Sequence, residues 1–327
     1  MSKRAHLFMP IALGLLVACG NTSSMNKAET NSEKEPEAEQ IGDRKGFNVN
    51  GPVKSIRTME LVLTEENGEL IVTDTTGNRQ VSFNDAGMLV ETVFYGSDDT
   101  ITYRETREYN NNGHLTRKVQ EELYWQSKET TVYERDSDGR ITNYEVFIDK
   151  MHINKRVNGL KSRVQYEYDA EGSLARKAHY GSDSILYSET IVKRLDNGHR
   201  IEDERRLRGD FVWWRYEREY DENDQFIRYS SIDSNNQVVD ETKYRWNEKG
   251  EWIDRINIDE DGWEKDEFGY NKNGEVVSIT TLDSVGNVTS KTTFEPELDG
   301  YGNLVYELKR IDGNAARAVK KTISYFK

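Results

Sequence analysis

A glycine closing a short polar turn returns along this chain at a nearly fixed interval, and that interval constrains the fold more than any other feature. The turns read F-N-D-A-G at Gly87, Y-N-N-N-G at Gly113, R-D-S-D-G at Gly139, Y-D-A-E-G at Gly172 and L-D-N-G at Gly198. They continue as W-N-E-K-G at Gly250, Y-N-K-N-G at Gly274 and L-D-G-Y-G at Gly302, while Y-D-E-N-D sets Asp224 where glycine is expected. Successive markers lie 26, 26, 33, 26, 26, 26, 24 and 28 residues apart. A fixed period in this range is the mark of a repeat architecture.

Each unit divides again. About 13 residues after most markers comes a second polar cluster, such as Ser97-Asp98-Asp99, Ser182-Asp183-Ser184, Gly209-Asp210, Asn235-Asn236 or Gly286-Asn287. Gly, Asn and Asp supply the positive φ of tight hairpin turns. The residues left between turns alternate with period two, as in Val164-Gln165-Tyr166-Glu167-Tyr168 and Tyr244-Arg245-Trp246, which is strand spacing. The expected fold is all-β: an extended antiparallel β-meander of about nine tandem 26-residue two-stranded repeats, curled to shelter an aromatic and aliphatic face, with Glu, Lys, Arg and Thr on the other.

The segment Tyr168-Asp169-Ala170-Glu171-Gly172-Ser173-Leu174 resembles the YD-repeat, or rearrangement-hotspot (Rhs), family, in which Tyr-Asp is followed by Gly and an apolar residue. Tyr220-Asp221 matches except at the glycine, and Tyr109-Asn110 and Tyr270-Asn271 exchange Asp for Asn. The likeness spans roughly residues 80 to 310. It implies antiparallel β-strips that can wrap into shells and says little about activity; the large toxin-encapsulating members are far longer, and no toxin-like C-terminal domain follows here.

The chain divides into a signal at 1–18, a tether at 19–50 and a repeat domain at 51–327. Lys3 and Arg4 precede the apolar run Leu7 to Ala18, too short for a membrane span and built like a secretory signal. Leu16-Val17-Ala18-Cys19-Gly20 resembles a bacterial lipobox, which implies cleavage before Cys19 and acylation on its thiol and amino group. Two or three acyl chains at ~0.8 kcal/mol per CH₂ anchor durably where one is marginal. Gly20 after the cysteine fits outer-membrane sorting. Cys19 is the single cysteine, so no disulfide supports the fold. The tether is rich in Glu, Ser and Asn and too poor in apolar residues to offset its ordering entropy. Residues 51 to 84 keep the turn rhythm but not the period, as a terminal cap would, and Thr322 to Phe326 reads as a last edge strand.

Net charge is −14, more negative once Lys3 and Arg4 leave with the signal, which disfavours nucleic acid as a partner. His114, His152, His179 and His199 form no metal-ligand spacing, so no metal or cofactor is expected; Glu134, Asp136, Asp138 and Glu145 imitate a calcium loop, but in register with the other turns. No nucleophile or phosphate-loop motif is present. The 33-residue unit carries its extra residues around Asp149 to Gly159, and the loop at 149–163, with His152 and the cations Lys150, Lys155, Arg156, Lys161 and Arg163, is a basic stretch in an acidic protein and a candidate contact loop. Five of six tryptophans, Trp213, Trp214, Trp246, Trp252 and Trp263, crowd one region. By alternation Trp213 faces away from the packed Trp214, as an anchor for protein or a stacking platform for sugar.

These features point to a non-enzymatic, lipid-anchored protein of the bacterial cell envelope, at the outer membrane, acting as a binding or scaffold surface for protein or glycan. Two alternatives stand beside it: a carrier or chaperone sheltering an amphiphile on the curled aromatic face, and a glycoside hydrolase with dispersed carboxylates.

Overall fold

Turn chemistry decides where this chain reverses. At the five-residue turns starting at Asn84, Asn110, Asp136, Asp169, Leu195, Asp221, Asn247, Asn271 and Asp299, the first N–H donates to the carbonyl four residues on, and the fourth N–H donates back to the first carbonyl. An Asn or Asp in first place adds its own cap: Oδ1 of Asp221 accepts the N–H groups of Asn223 and Gln225, each at 2.9 Å. The fourth residue needs positive φ, +86° at Gly172 and +61° at Asp224; aspartate tolerates that region, so the missing glycine breaks nothing.

The computed structural model describes residues 47, 49–152 and 155–326. The signal, Cys19 and the tether through residue 46 lie outside the described residues. Twenty strands follow: β1 (Val53–Glu66), β2 (Glu69–Phe83), β3 (Leu89–Tyr95), β4 (Ile101–Tyr109), β5 (Leu115–Glu122), β6 (Ser127–Arg135), β7 (Ile141–His152), β8 (Lys155–Tyr168), β9 (Leu174–Gly181) and β10 (Leu186–Arg194). Then come β11 (Arg200–Arg208), β12 (Phe211–Tyr220), β13 (Phe226–Asp233), β14 (Val238–Trp246), β15 (Trp252–Asp259), β16 (Gly262–Tyr270), β17 (Val276–Leu282), β18 (Val288–Leu298), β19 (Leu304–Ile311) and β20 (Asn314–Tyr325). Each pairs antiparallel with its sequence neighbours.

The sheet does not stay open. β1 pairs with β2 through Ile56 and Val81 and with β20 through Ile56 and Ile323, so the meander closes into a barrel. This corrects the expectation of a curled open ribbon. Thr322 to Phe326 is no edge, and the out-of-period start is no cap; both are seam strands. The gain is general: a closed sheet has no unpaired edge left to recruit other chains.

The expectation of one greasy and one charged face also fails. Register places Tyr109, Tyr133, Tyr144, Tyr166, Tyr216 and Tyr229 on one face, but the same face carries Glu105, Arg107, Glu202, Glu204 and Arg218. On the reverse face, Asp203 is held by Arg205 and Arg215, and Asp254 by Arg245 and Lys265. Asp203 and Asp254 are buried, which is tolerable for carboxylates only because cations pair with them. Arg245 holds the Asp254 carboxyl below its ordinary range.

Apolar packing runs along the wall in separate clusters. Val53, Ile56, Val81, Phe83 and Leu89 form one at the seam, Leu63, Leu308, Ala315 and Ala318 a second beside it, and Leu115, Tyr133, Ile141, Val164 and Tyr166 a third. Aromatic rings near the five-residue turns lock neighbouring strands. Tyr109 Oη donates to Leu89 O at 2.7 Å, Tyr168 Oη to Ile141 O at 2.8 Å and Tyr270 Oη to Trp252 O at 2.9 Å.

Candidate binding site

The barrel has two unlike rims. One is built from the nine five-residue turns and holds the seam, where the described chain enters at Asn50 and Gly51. There Gly51, at φ +81°, passes so near Tyr301 that a Cβ would lie 3.1 Å from its ring. The opposite rim uses varied turns: tight two-residue turns at Asn67-Gly68 and Asp312-Gly313, five-residue turns from Gly96, Gly181, Asp233 and Asp283, and a turn over Leu123 to Gln126.

Most large apolar side chains left in water sit on this varied rim, including Leu70 to Val72, Leu123 to Trp125, Ile185, Tyr187, Phe211, Trp213, Val285 and Val288. The uniform rim exposes fewer, among them Leu195, Leu298 and Tyr301. Scattered exposed apolar groups are ordinary, but a concentration at one end marks an interaction surface.

Two long hairpins rise from that rim. β1 meets β20 only as far as Val62, so Thr64 to Glu66, beyond the buried Leu63, and the start of β2 project past the wall. β8 meets β9 only from Ser162 onward, so its earlier part pairs with β7 alone. The extra residues of the 33-residue unit are this second hairpin, as the sequence suggested. Its charge is another matter. Arg156 is ion-paired with Asp149, Lys161 Nζ lies 2.5 Å from Glu129 Oε1, and the Arg163 guanidinium rests 5.3 Å from the Tyr180 ring centre. Of the expected basic stretch, Arg156 and Lys161 are therefore paired with carboxylates and Arg163 lies over a ring. Residues 153 and 154, and the side chains of His152 and Lys155, lie outside the described residues; the backbones of His152 and Lys155 pair across the hairpin end.

Below the hairpin, a cleft of about 500 Å³ opens on the aromatic face of β4 to β8. Tyr103 and Gln120 line its floor, Glu122, Glu129, Lys150 and Lys161 its sides, and Trp125 its mouth. Gln120 Nε2 donates to Tyr103 Oη at 2.7 Å, and Tyr103 Oη donates to Glu105 Oε2 at 3.2 Å. Arg107 Nε holds the other oxygen of Glu105 at 2.8 Å. Burial pushes the Tyr103 hydroxyl up to about 12, so it is a neutral donor at any physiological pH. Lys161 reaches the cleft because it is the extra residue of a β-bulge between Leu160 and Ser162, a device that re-aims a side chain.

Lys150 and Lys161 are thus the cations of the sequence-nominated loop whose described side chains line the cleft. Trp213 stands elsewhere. It is itself the extra residue of a bulge in β12, 38% exposed, with the Arg208 guanidinium 5.7 Å from its ring centre. The five crowded tryptophans do not form one patch: Trp213 and Trp263 expose themselves at the varied rim, whereas Trp246 and Trp252 pack ring to ring at 5.4 Å near the uniform one. Sequence reasoning missed Trp125 and Tyr124. Their signal was available, because Leu123-Tyr124-Trp125 occupies the slot, about 13 residues past Gly113, where the other units place polar turn residues.

The calcium-like run is an ordinary turn of this fold, with Asp136 Oδ1 accepting the N–H groups of Asp138 and Arg140 and Oδ2 accepting Arg140 Nε at 2.7 Å. Among the histidines, His114 lies under Gly139, where a Cβ would come within 2.5 Å of its ring, and His199 Nδ1 is 2.8 Å from Glu219 Oε1. His179 is sunk in the wall between Val164 and Ser188. Burial, helped by Lys177, lowers its pKa from 6.5 to about 4. Between those values the unfolded chain binds a proton that the folded chain refuses, so this contribution to stability is complete above pH 6.5 and disappears as pH falls towards 4. After allowance for partial exposure, roughly 2 kcal/mol is at stake. Thermal melts from pH 7 to 4 should therefore fall less steeply for His179→Gln than for the unaltered chain.

No protein-family model matches the chain, and no curated protein does. Among solved structures, it is similar to a porin-like protein from Bacteroides uniformis at 13% identity, over 84% of this chain and 99% of that one, with a TM-score of 0.32. A porin-like protein from Bacteroides vulgatus aligns at 8% identity over 85% and 99%, TM-score 0.29. The Photorhabdus luminescens Tc holotoxin pore aligns at 9% identity over 76% of this chain and 20% of that one, TM-score 0.19.

Proposed function

We propose that this is a lipid-anchored cell-envelope protein whose barrel is a non-enzymatic binding surface, held at its uniform rim and presenting its varied rim to a protein or glycan. One observation carries the reading: the chain enters at one rim, and the exposed aromatic and aliphatic side chains collect at the other. The likeness of the turns to YD repeats fits a display scaffold and adds no chemistry.

The barrel wall itself stands in water on this reading. A lipid-facing barrel needs an unbroken apolar belt, and an Arg or Lys at mid-bilayer costs about 2–4 kcal/mol. β11 sets Glu202 and Glu204 on one face and Asp203 and Arg205 on the other, and β16 sets Asp266 against Lys265 and Glu267 in the same way. The same charges weigh against a continuous apolar shelter for an amphiphile.

Anchoring is tested by Cys19→Ala, which should move the mature protein from the membrane fraction to the soluble one; retention in the membrane would sink that part. Display is tested by photo-crosslinking in intact cells. A crosslinker replacing Tyr124 should capture a partner that one replacing Glu171 on the uniform rim does not. Equal capture, or capture from Glu171 alone, would refute the orientation.

A further inference from the structure

We infer that the cleft beneath the β7–β8 hairpin binds a neutral oligosaccharide, with Trp125 as the stacking platform. The inference rests on the varied rim being the binding face, and it names the ligand class. The cleft volume, about 500 Å³, falls within the roughly 300–1,000 Å³ of built ligand sites. Its mouth carries Trp125, 67% exposed and set edge-on to Tyr124 at 4.8 Å. These rings stay in water although the turn beneath them is fixed, with Leu123 N–H donating to Thr102 O at 3.0 Å and Gln126 held at φ +46°. A flat aromatic face held in water suits the C–H face of a sugar ring.

The polar lining fits the same class. Gln120, Glu122 and Glu129 offer acceptors, and Ser127, Lys150 and Lys161 offer donors; a sugar hydroxyl is both donor and acceptor. Two carboxylates face two ammonium groups, and Lys161 already neutralises Glu129, so the cleft has no surplus charge to select an anion or a cation. A peptide is a poorer fit. β4 to β7 are paired on both sides under the cleft, and the open edge of β8 before Ser162 lies on its side away from β7, leaving no backbone edge within the cleft for an extended peptide to join.

The test is an array of neutral, uronic-acid-bearing and sulfated oligosaccharides probed with the full mature chain, followed by tryptophan-fluorescence titration of the hits. Neutral oligosaccharides should bind, Trp125→Ala should weaken binding about 10-fold or more, Glu129→Gln should weaken it too, and Trp213→Ala should leave it unchanged. Because Trp125 is exposed, its loss should leave the thermal melt where it was. A blank neutral set, binding of charged glycans or peptides alone, or neutral binding indifferent to Trp125→Ala would overturn the assignment. A blank array beside Cys19-dependent anchoring and capture from position 124 removes the saccharide alone, whereas failure of those two experiments removes the display reading.

Discussion

A chain ended after Asp312, which lacks β20, is expected to lose its cooperative thermal transition and to elute as aggregate. β20 is bonded on both sides, to β19 from Tyr306 to Ile311 and to β1 from Val53 to Val62. Its removal strips Ala315 and Ala318 from the cluster around Leu63 and Leu308, and Ile323 and Tyr325 from the cluster around Ile56. Two long strands then expose their ladders, and exposed edges template pairing with other chains. Native domains have only about 5–15 kcal/mol in reserve, and neither packing across a second sheet nor a disulfide stands behind this seam. Removing Lys327 alone is the control and should change nothing. A truncated protein that stays monomeric and melts within a few degrees of the full chain would show that ring closure is not what holds the sheet.

Local chemistry in this chain is written plainly, and long-range chemistry is not. The turns were legible because each depends on residues within a five-residue window, with Asn or Asp first in all but the Leu195 turn and Gly fourth in all but the Asp221 turn. Strand alternation was legible near those turns, where Tyr168, Tyr220 and Tyr270 sit. Extending it along whole strands misled, because mid-strand charges keep the same spacing and are made acceptable by ion pairs, Glu105 with Arg107 along β4 and Glu204 with Arg218 across to β12, of which a period-two reading sees neither. Glu129 and Lys161 are 32 residues apart, so the pairing of Lys161 could not be read from the hairpin's own composition. Bulges are equally invisible to a period-two reading, and they decide where Trp213 and Lys161 point. Closure depends on the first and last strands recognising one another across some 270 residues, and nothing in either strand alone states its partner.

The seam has one further joint, and breaking it should have the second largest effect. Asn303 is fully buried and acts as a bridge: its Oδ1 accepts the Asn50 N–H, and its Nδ2 donates to Asn50 O at 3.0 Å and to Tyr325 Oη at 2.9 Å. Tyr325 in turn donates its hydroxyl proton to Asp299, the residue whose side chain caps the Asn303 turn. Alanine at 303 removes the three bonds that its side chain makes to Asn50 and Tyr325 and opens space at a fully buried position, while Tyr325 keeps its bond to Asp299. A hydrogen bond contributes about 0.5–1.5 kcal/mol net, so the loss of three in Asn303→Ala should cost roughly 2–4 kcal/mol in all. In a domain of this size that lowers the melting temperature by several degrees. Hydrogen exchange separates this joint from general weakening, because the amides of Asn50 and of Phe326, which donates to Pro52 O at 2.7 Å, should lose protection well before those of Val119 or Ser230 in the wall. Tyr325→Phe keeps the ring stacked near Tyr301 at 4.7 Å and deletes only the hydroxyl, so it should cost about 1 kcal/mol. Unchanged protection at Asn50 in Asn303→Ala would mean that the chain is held at the uniform rim by something other than this amide.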